Sequence, residues 1–315
     1  MLKIVEVGPR DGLQNETAAI ATDAKIKFIN ALSRTGVHEI EVSAFVSARW
    51  VPQLGDAREV LARITRKKGV TYSALVPNER GLDGALAAKV DKIAVFTAAS
   101  ETFNRKNINA SIKSSIQRFR PVVTRAAEAD LPVRGYISTA FWCAFEGRVA
   151  AQSVVDVARM LTDIGVGEVS ISDTVGKASP DEVESLLNRL LSDLPAQRIA
   201  VHFHDTYGRG IPNVLKSWEM GIRTFDASAG GLGGCPYSPG ATGNVSTESV
   251  VQALEARGEI TGVNLHKLAS AHRHIAPYLI DELRSKPQQD LPACASCEYA
   301  MEAVCCRREA SNDST

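Results

Sequence analysis

Three observations predict a (β/α)8 barrel. Eight short runs rich in β-branched residues alternate with helical patterns along the chain. The eight units occupy about 250 residues, the usual extent of such a barrel. No Gly-x-Gly-x-x-Gly fingerprint follows the first run, which argues against an open, doubly wound nucleotide-binding sheet.

The predicted strands are Leu2–Val7, His38–Ser43, Val70–Val76, Val90–Thr97, Pro132–Thr139, Val166–Ser172, Arg198–His204 and Ile222–Ser228. Two of the helices between them are clearly punctuated. Ser179-Pro180-Asp181-Glu182 reads as a capping box with proline at the first helical position. Val183, Leu186, Leu187, Leu190, Leu191 and Leu194 then recur at helical spacing. Thr22 precedes a helix with Ile26, Ile29 and Leu32 on one face, and Gly36 can end it. Asn264–Leu279 lies beyond the eighth unit and is expected to pack against the barrel as extra helix. His266, His272 and His274 there read as surface or packing residues. The expected organisation is a catalytic barrel over 1–285 and a cysteine-containing polar tail over 286–315, partly disordered.

A chain of 315 residues with 44% hydrophobic content can bury a sizeable core. Lys+Arg and Asp+Glu balance at 36 each, so charge gives no case for nucleic acid or an anionic membrane as partner. No apolar stretch approaches the ~20 residues of a membrane span. The N-terminus opens directly on a strand-like run, and a soluble cytoplasmic protein is the expectation. The six cysteines, Cys143, Cys235, Cys294, Cys297, Cys305 and Cys306, read as reduced thiols. Cys294-x-x-Cys297 has no histidine near it and no strand before it, which argues against zinc.

Chemistry gathers at the C-terminal ends of the predicted strands, where barrel active sites lie. On strand seven His202-Phe203-His204 sends two imidazoles to one face. Two converging imidazoles are a natural start for a divalent-metal site. Strand one runs into Arg10-Asp11-Gly12-Leu13-Gln14, and strand two ends Glu41-Val42-Ser43. Strand five carries Tyr136 and Ser138, and strand six ends at Asp173. A glycine-rich loop from Gly230 to Asn244, with Cys235 inside it, follows strand eight. Singly, each piece has a plain structural reading: a turn pair, a helix cap at Asp173, a flexible connector. Independent surface polarity would not collect at one rim. Asp11, His202, His204 and an amide oxygen make a mixed nitrogen and oxygen donor set suited to Mg²⁺ or Mn²⁺.

At these residues the chain resembles the 3-hydroxy-3-methylglutaryl-CoA lyase family. It is more broadly similar to the barrel metallolyases that include isopropylmalate and homocitrate synthases. The resemblance rests on VGPRDGLQNE at 7–16, FVSARWVPQLG at 45–55, AASETFNRKNIN at 98–109, HFHDTYG at 202–208 and GGLGGCPYSPGATGN at 230–244. It covers residue 2 to about 280 and leaves out the tail. The first and last segments are specific to the lyase branch. One departure stands out: Trp142-Cys143-Ala144-Phe145-Glu146 replaces the family's usual Gly-Cys-Pro-Tyr-Glu. A tryptophan there would narrow or reshape the rim.

The resemblance implies Asp11, His202, His204 and Asn244 as ligands of a divalent metal, Mg²⁺ or Mn²⁺. It implies Arg10 beside the substrate carbonyl, Cys235 as the reactive cysteine, and Glu41 and Asp173 as acidic organisers of the site. Arg10, Gln14, Ser43, Tyr136 and Ser138 are the expected substrate contacts. The implied reaction is retro-Claisen cleavage of an acyl-CoA substrate to acetyl-CoA and acetoacetate, in leucine breakdown. Asp11 or a ligating histidine serves as base, and the enzyme is expected to be a homodimer. The alternatives are a lyase for another tertiary 3-hydroxyacyl-CoA such as citramalyl-CoA, an acetyl-CoA-dependent synthase, and a non-catalytic binding barrel. The Cys235 loop argues against the synthase and the intact site against the binding protein.

Overall fold

The computed structural model describes residues 2–14, 16, 18–234 and 243–279. The eight predicted strands all form, each within a residue or two of its expected bounds. They are β1 Lys3–Glu6, β2 Glu39–Ala44, β3 Thr71–Leu75, β4 Lys92–Ala98, β5 Val133–Ser138, β6 Glu168–Asp173, β7 Ile199–Phe203 and β8 Thr224–Ala227. Every neighbouring pair is parallel, and β1 pairs with both β2 and β8, so the sheet closes on itself. Around it stand α1 Thr22–Leu32, α2 Ala57–Arg63, α3 Glu79–Ala87, α4 Glu101–Ile108, α5 Ile112–Glu128, α6 Ala151–Asp163, α7 Pro180–Asp193, α8 Gly210–Glu219, α9 Thr247–Glu255 and α10 Leu265–His272. The expected boundary between barrel and tail, with Cys294, Cys297, Cys305 and Cys306, lies outside the described residues.

The local punctuation works as its chemistry demands. The Ser179 hydroxyl accepts the Glu182 N–H, and the Glu182 carboxylate accepts the Ser179 N–H at 2.9 Å. Thr22 is the first residue of α1, not its cap, and its hydroxyl donates to Asp56 at 2.7 Å. Gly36 turns with φ +101, and a Cβ there would sit 2.0 Å from the Gly262 carbonyl oxygen, so only glycine fits. α10 packs against α1 and the turn after β8. On it, His266 is exposed, whereas His272 is packed against Gly230.

Helix-facing strand residues are apolar, such as Ile4, Ile40, Ile93, Ile137, Ile171 and Val201. The barrel interior departs from the usual layers of branched aliphatics. Lys92 pairs with Glu39 at 3.0 Å and Glu168 at 2.9 Å. Arg134 pairs with Glu168 at 2.7 Å and Asp226 at 2.8 Å. Five strands are thus tied across the barrel axis by buried charge. Removing one partner strands the others in a low-dielectric interior, so Arg134→Met is expected to cost ~3–5 kcal/mol of unfolding free energy. Urea denaturation checks this, and a cost under about 1 kcal/mol, the worth of an exposed pair, would show that the network is not a structural tie.

Candidate active site

The segment after β1 places the first two polar residues. The N–H groups of Asp11 and Gly12 both donate to the Val7 carbonyl, at 2.8 and 3.2 Å, which winds the chain into one wide turn. Arg10 and Asp11 thereby reach over the barrel mouth. Arg10 contacts Asp11 through Nη1. Its Nε and Nη2 both reach Glu41 Oε2, at 2.7 and 2.6 Å. The Tyr136 hydroxyl donates to the same oxygen at 3.1 Å, and the Arg10 guanidinium lies over the Tyr136 ring, 5.2 Å from its centre. Burial opposes the Arg10 charge, but Glu41 and Asp11 outweigh it and keep the cation fixed.

Strand alternation puts His202 and Asp226 on the inner face, in adjacent registers of β7 and β8. Asp226 Oδ2 meets His202 Nδ1 at 3.3 Å and accepts the Ser170 hydroxyl at 3.0 Å. A carboxylate only accepts, so the contact puts the imidazole proton on Nδ1 and leaves the Nε2 lone pair facing the mouth. Nε2 of His202 and Nε2 of His204 stand 3.3 Å apart. Asp11 Oδ2 is 3.8 Å from His202 Nε2, and the three donor groups lie within 4.8 Å of one another.

β7 stops at Phe203, one residue before its predicted end. His204 is held by antiparallel pairing with Asn244, through Val245 N–H to Phe203 O and Asp205 N–H to Gly243 O, both at 3.0 Å. Gly243 has φ +89, and a Cβ on it would strike the Gly233 carbonyl, so the approach demands glycine. The Asn244 amide nitrogen donates to Asp11 Oδ2 and to Leu232 O, both at 2.9 Å.

The residues fit a divalent cation. His204 Nδ1 is buried without a hydrogen-bond partner among the described residues. Burial, helped by His202, pushes the His204 imidazole down to about 4 against the pull of Asp11, so the ring is neutral at physiological pH. Burial would raise the Asp11 carboxyl, but the Arg10 guanidinium prevails and holds it well below the usual carboxylate range. A neutral His204 imidazole and an ionised Asp11 carboxylate are protonation states a metal needs.

Not every expected site residue joins this cluster. Ser43 is a correction: a register shift between Glu41 and Ser43 pairs Ser43 with Ala74 on the outer face of β3, away from the cavity. Asp173 is another. Its carboxylate accepts the N–H groups of Gly176 and Ala178, at 3.1 and 2.8 Å, and burial pushes it up to about 6. It shapes the loop after β6 and does not face the histidines. Trp142 does not line the cavity either. It pairs with Arg148 in a two-residue hairpin, and Lys177 sits 4.1 Å from its ring centre. Cys235 lies outside the described residues. Sequence reasoning missed Asp226 and gave Arg134 no role; both are charged residues inside otherwise strand-like runs, and that mismatch is the available signal.

Arg10, Asp11, Gln14, Tyr136, Ser138, His202 and His204 line the inner end of a cavity of about 1200 Å³. Its outer part runs past Trp50, which is 82% exposed, to Arg105, Lys106 and Arg118. In the metal-free protein the His204 ring is expected to stay neutral at pH 5 and to titrate near pH 4. Imidazole NMR checks this, and a midpoint above pH 6 would contradict the burial argument.

Comparison with known proteins agrees with this geometry. The HMGL-like family model matches residues 1–275. A rat protein named 3-hydroxy-3-methylglutaryl-CoA lyase, cytoplasmic, is 48% identical over 288 residues, covering 91% of this chain and 84% of its own. The structure of an HMG-CoA lyase from Brucella melitensis superposes with TM-score 0.86 at 48% identity, over 88% of this chain and 98% of that one. An HMG-CoA lyase from Acinetobacter baumannii, solved with coenzyme A and 3-methylmalate, gives TM-score 0.85 at 35% identity, over 92% and 97%. With barrel, site and these matches in agreement, the chain belongs to the HMGL-like family.

Proposed function

We propose that this protein is a divalent-metal-dependent lyase that cleaves 3-hydroxy-3-methylglutaryl-CoA to acetyl-CoA and acetoacetate. The observation that carries the reading is the convergence of Asp11, His202 and His204 beside a pinned Arg10, at the inner end of a long cavity with a basic rim. Such a cavity suits an acyl-CoA. Arg105, Lys106 and Arg118 offer charge to phosphates, and Trp50 offers a face to an adenine.

Asp11, His202 and His204, with the Asn244 amide, would hold Mg²⁺ or Mn²⁺, which when bound lowers the pKa of the substrate hydroxyl. Asp11 and the two imidazoles are the bases within reach of that proton. Arg10 is fixed by Glu41 before substrate arrives, so its charge stabilises a developing thioester enolate without reorganisation. Gln14, Tyr136 and Ser138 line the cavity as substrate contacts, and Cys235 supplies the proton that quenches the carbanion. Asp173 contributes by fixing the loop after β6. Trp142, packed away from the cavity, gives no reason to move the acyl substituent towards citramalyl-CoA. We further infer a cytoplasmic homodimer serving leucine breakdown. The name of the rat relative supports the compartment, and the common dimerisation of such enzymes supports the assembly. Among the described residues no helix is long and apolar enough to cross a membrane.

The test is acetyl-CoA release from 3-hydroxy-3-methylglutaryl-CoA with Mg²⁺ or Mn²⁺ and with chelator, citramalyl-CoA run beside it. Metal-dependent cleavage of the glutaryl thioester is expected, and faster cleavage of citramalyl-CoA would move the substrate. Arg10→Met is expected to cost about 10²–10³-fold in kcat, the worth of one preorganised donor. A change confined to KM would remove its transition-state role. Asp226→Leu is similar in shape but offers no acceptor for His202 Nδ1–H. It is expected to weaken Mn²⁺ binding about 10–100-fold. Titration of the metal by calorimetry reads this directly, and unchanged affinity would mean that His202 is oriented by packing alone.

A further inference from the structure

The chain after β5 folds back as a short hairpin, in which Trp142 pairs with Arg148 and Cys143 with Gly147. It is tied down on two sides. On one, Lys177 stands over the Trp142 ring, 4.1 Å from its centre, and Arg148 pairs with Glu182 at 2.8 Å. On the other, it grips the start of α4. The Glu146 carboxylate accepts the Thr102 N–H at 2.7 Å, and the Ser100 hydroxyl donates to Cys143 Sγ at 3.1 Å. Between these ties the Phe145 ring lies 6.4 Å from that of Phe103 and carries the Lys106 ammonium 4.5 Å from its centre. Phe145 stays 39% exposed, so apolar burial alone does not account for its place. No carboxylate lies within ion-pair reach of Lys106 among the described residues, whereas Arg105 has Glu101 at 3.7 Å.

We infer that Phe145 is a positioning residue for phosphate binding, acting through Lys106 at the outer end of the cavity. The inference rests on the lyase reading above, which makes the ligand an acyl-CoA. Lys106 lines the cavity and Phe145 does not, so the ring acts on the ligand only through the ammonium. A lysine side chain has four rotatable bonds, and ordering it on a ligand costs binding energy. Held over the ring, Lys106 is ordered before the ligand arrives. An aromatic face also attracts an ammonium without neutralising it. A carboxylate in the same place would compete with a phosphate for the charge. The ring is well placed for this task because its hairpin is bonded to the helix that carries the lysine. Phe103 and Lys106, three residues apart, share a face of α4, and Phe145 meets both. Trp142 steadies the base of the hairpin, and a glycine there would leave it without the Lys177 anchor.

The test is calorimetric titration of the full chain with coenzyme A. Phe145→Leu keeps an apolar side chain but removes the ring face, and is expected to weaken binding about two- to fivefold, the worth of an exposed cation–π contact. Phe145→Tyr keeps the face and is expected to keep the affinity. Lys106→Met is expected to weaken binding by at least as much as Phe145→Leu. In the Lys106→Met background Phe145→Leu is expected to add nothing, because the two residues act as one unit. Unchanged affinity in Phe145→Leu overturns the inference, and so does a loss in Phe145→Tyr equal to that of leucine. An equal loss on adding Phe145→Leu to Lys106→Met marks a packing role and overturns it as well. Failure of the unmodified protein to bind coenzyme A at all removes the acyl-CoA reading, and this inference with it.

Discussion

The structure turns on the burial of paired charge inside the barrel. Lys92, Arg134 and Arg10 face five carboxylates, Glu39, Glu41, Glu168, Asp226 and Asp11, in two sets of ion pairs, with His202 between Asp226 and Asp11. The carboxylates outnumber the Lys and Arg side chains by two. Such an excess is unfavourable in an interior unless something of charge +2 offsets it. The same asymmetry that makes the interior costly therefore selects a divalent ion at the one place where the set opens to the cavity. Geometry at the mouth and electrostatics of the floor are one arrangement.

Function is distributed accordingly. The floor is rigid and comes from strands, which fix Asp226, His202 and Glu41 by register. The upper groups come from turns held onto that floor. Arg10 is clamped by Glu41, and Asn244 is paired to the end of β7 by backbone bonds.

Much of this was legible in the sequence, for definite reasons. Period-two alternation places His202 and His204 on one face whatever surrounds them, and a capping box at Ser179 depends on four adjacent residues. The eight-strand order follows from the same local patterns. What escaped depends on contacts distant in the chain. A bulge after Glu41 turns Ser43 away, and nothing in Glu-Val-Ser announces a bulge. Asp173 looked like a site acid because it ends a strand, yet the turn that follows bends its own N–H groups onto it. Arg134 and Asp226 became intelligible only when strands far apart in sequence met across the axis.

Trp50 stands at the outer rim, 82% exposed, whereas Trp142 and Trp218 are partly covered by neighbouring side chains. Among the chain's three indoles it is the one whose surroundings change from water to ligand when the outer cavity fills. The protein therefore carries a built-in optical reporter. If the cavity takes an acyl-CoA as proposed, its emission would follow occupancy of the outer end, separately from events at the histidines.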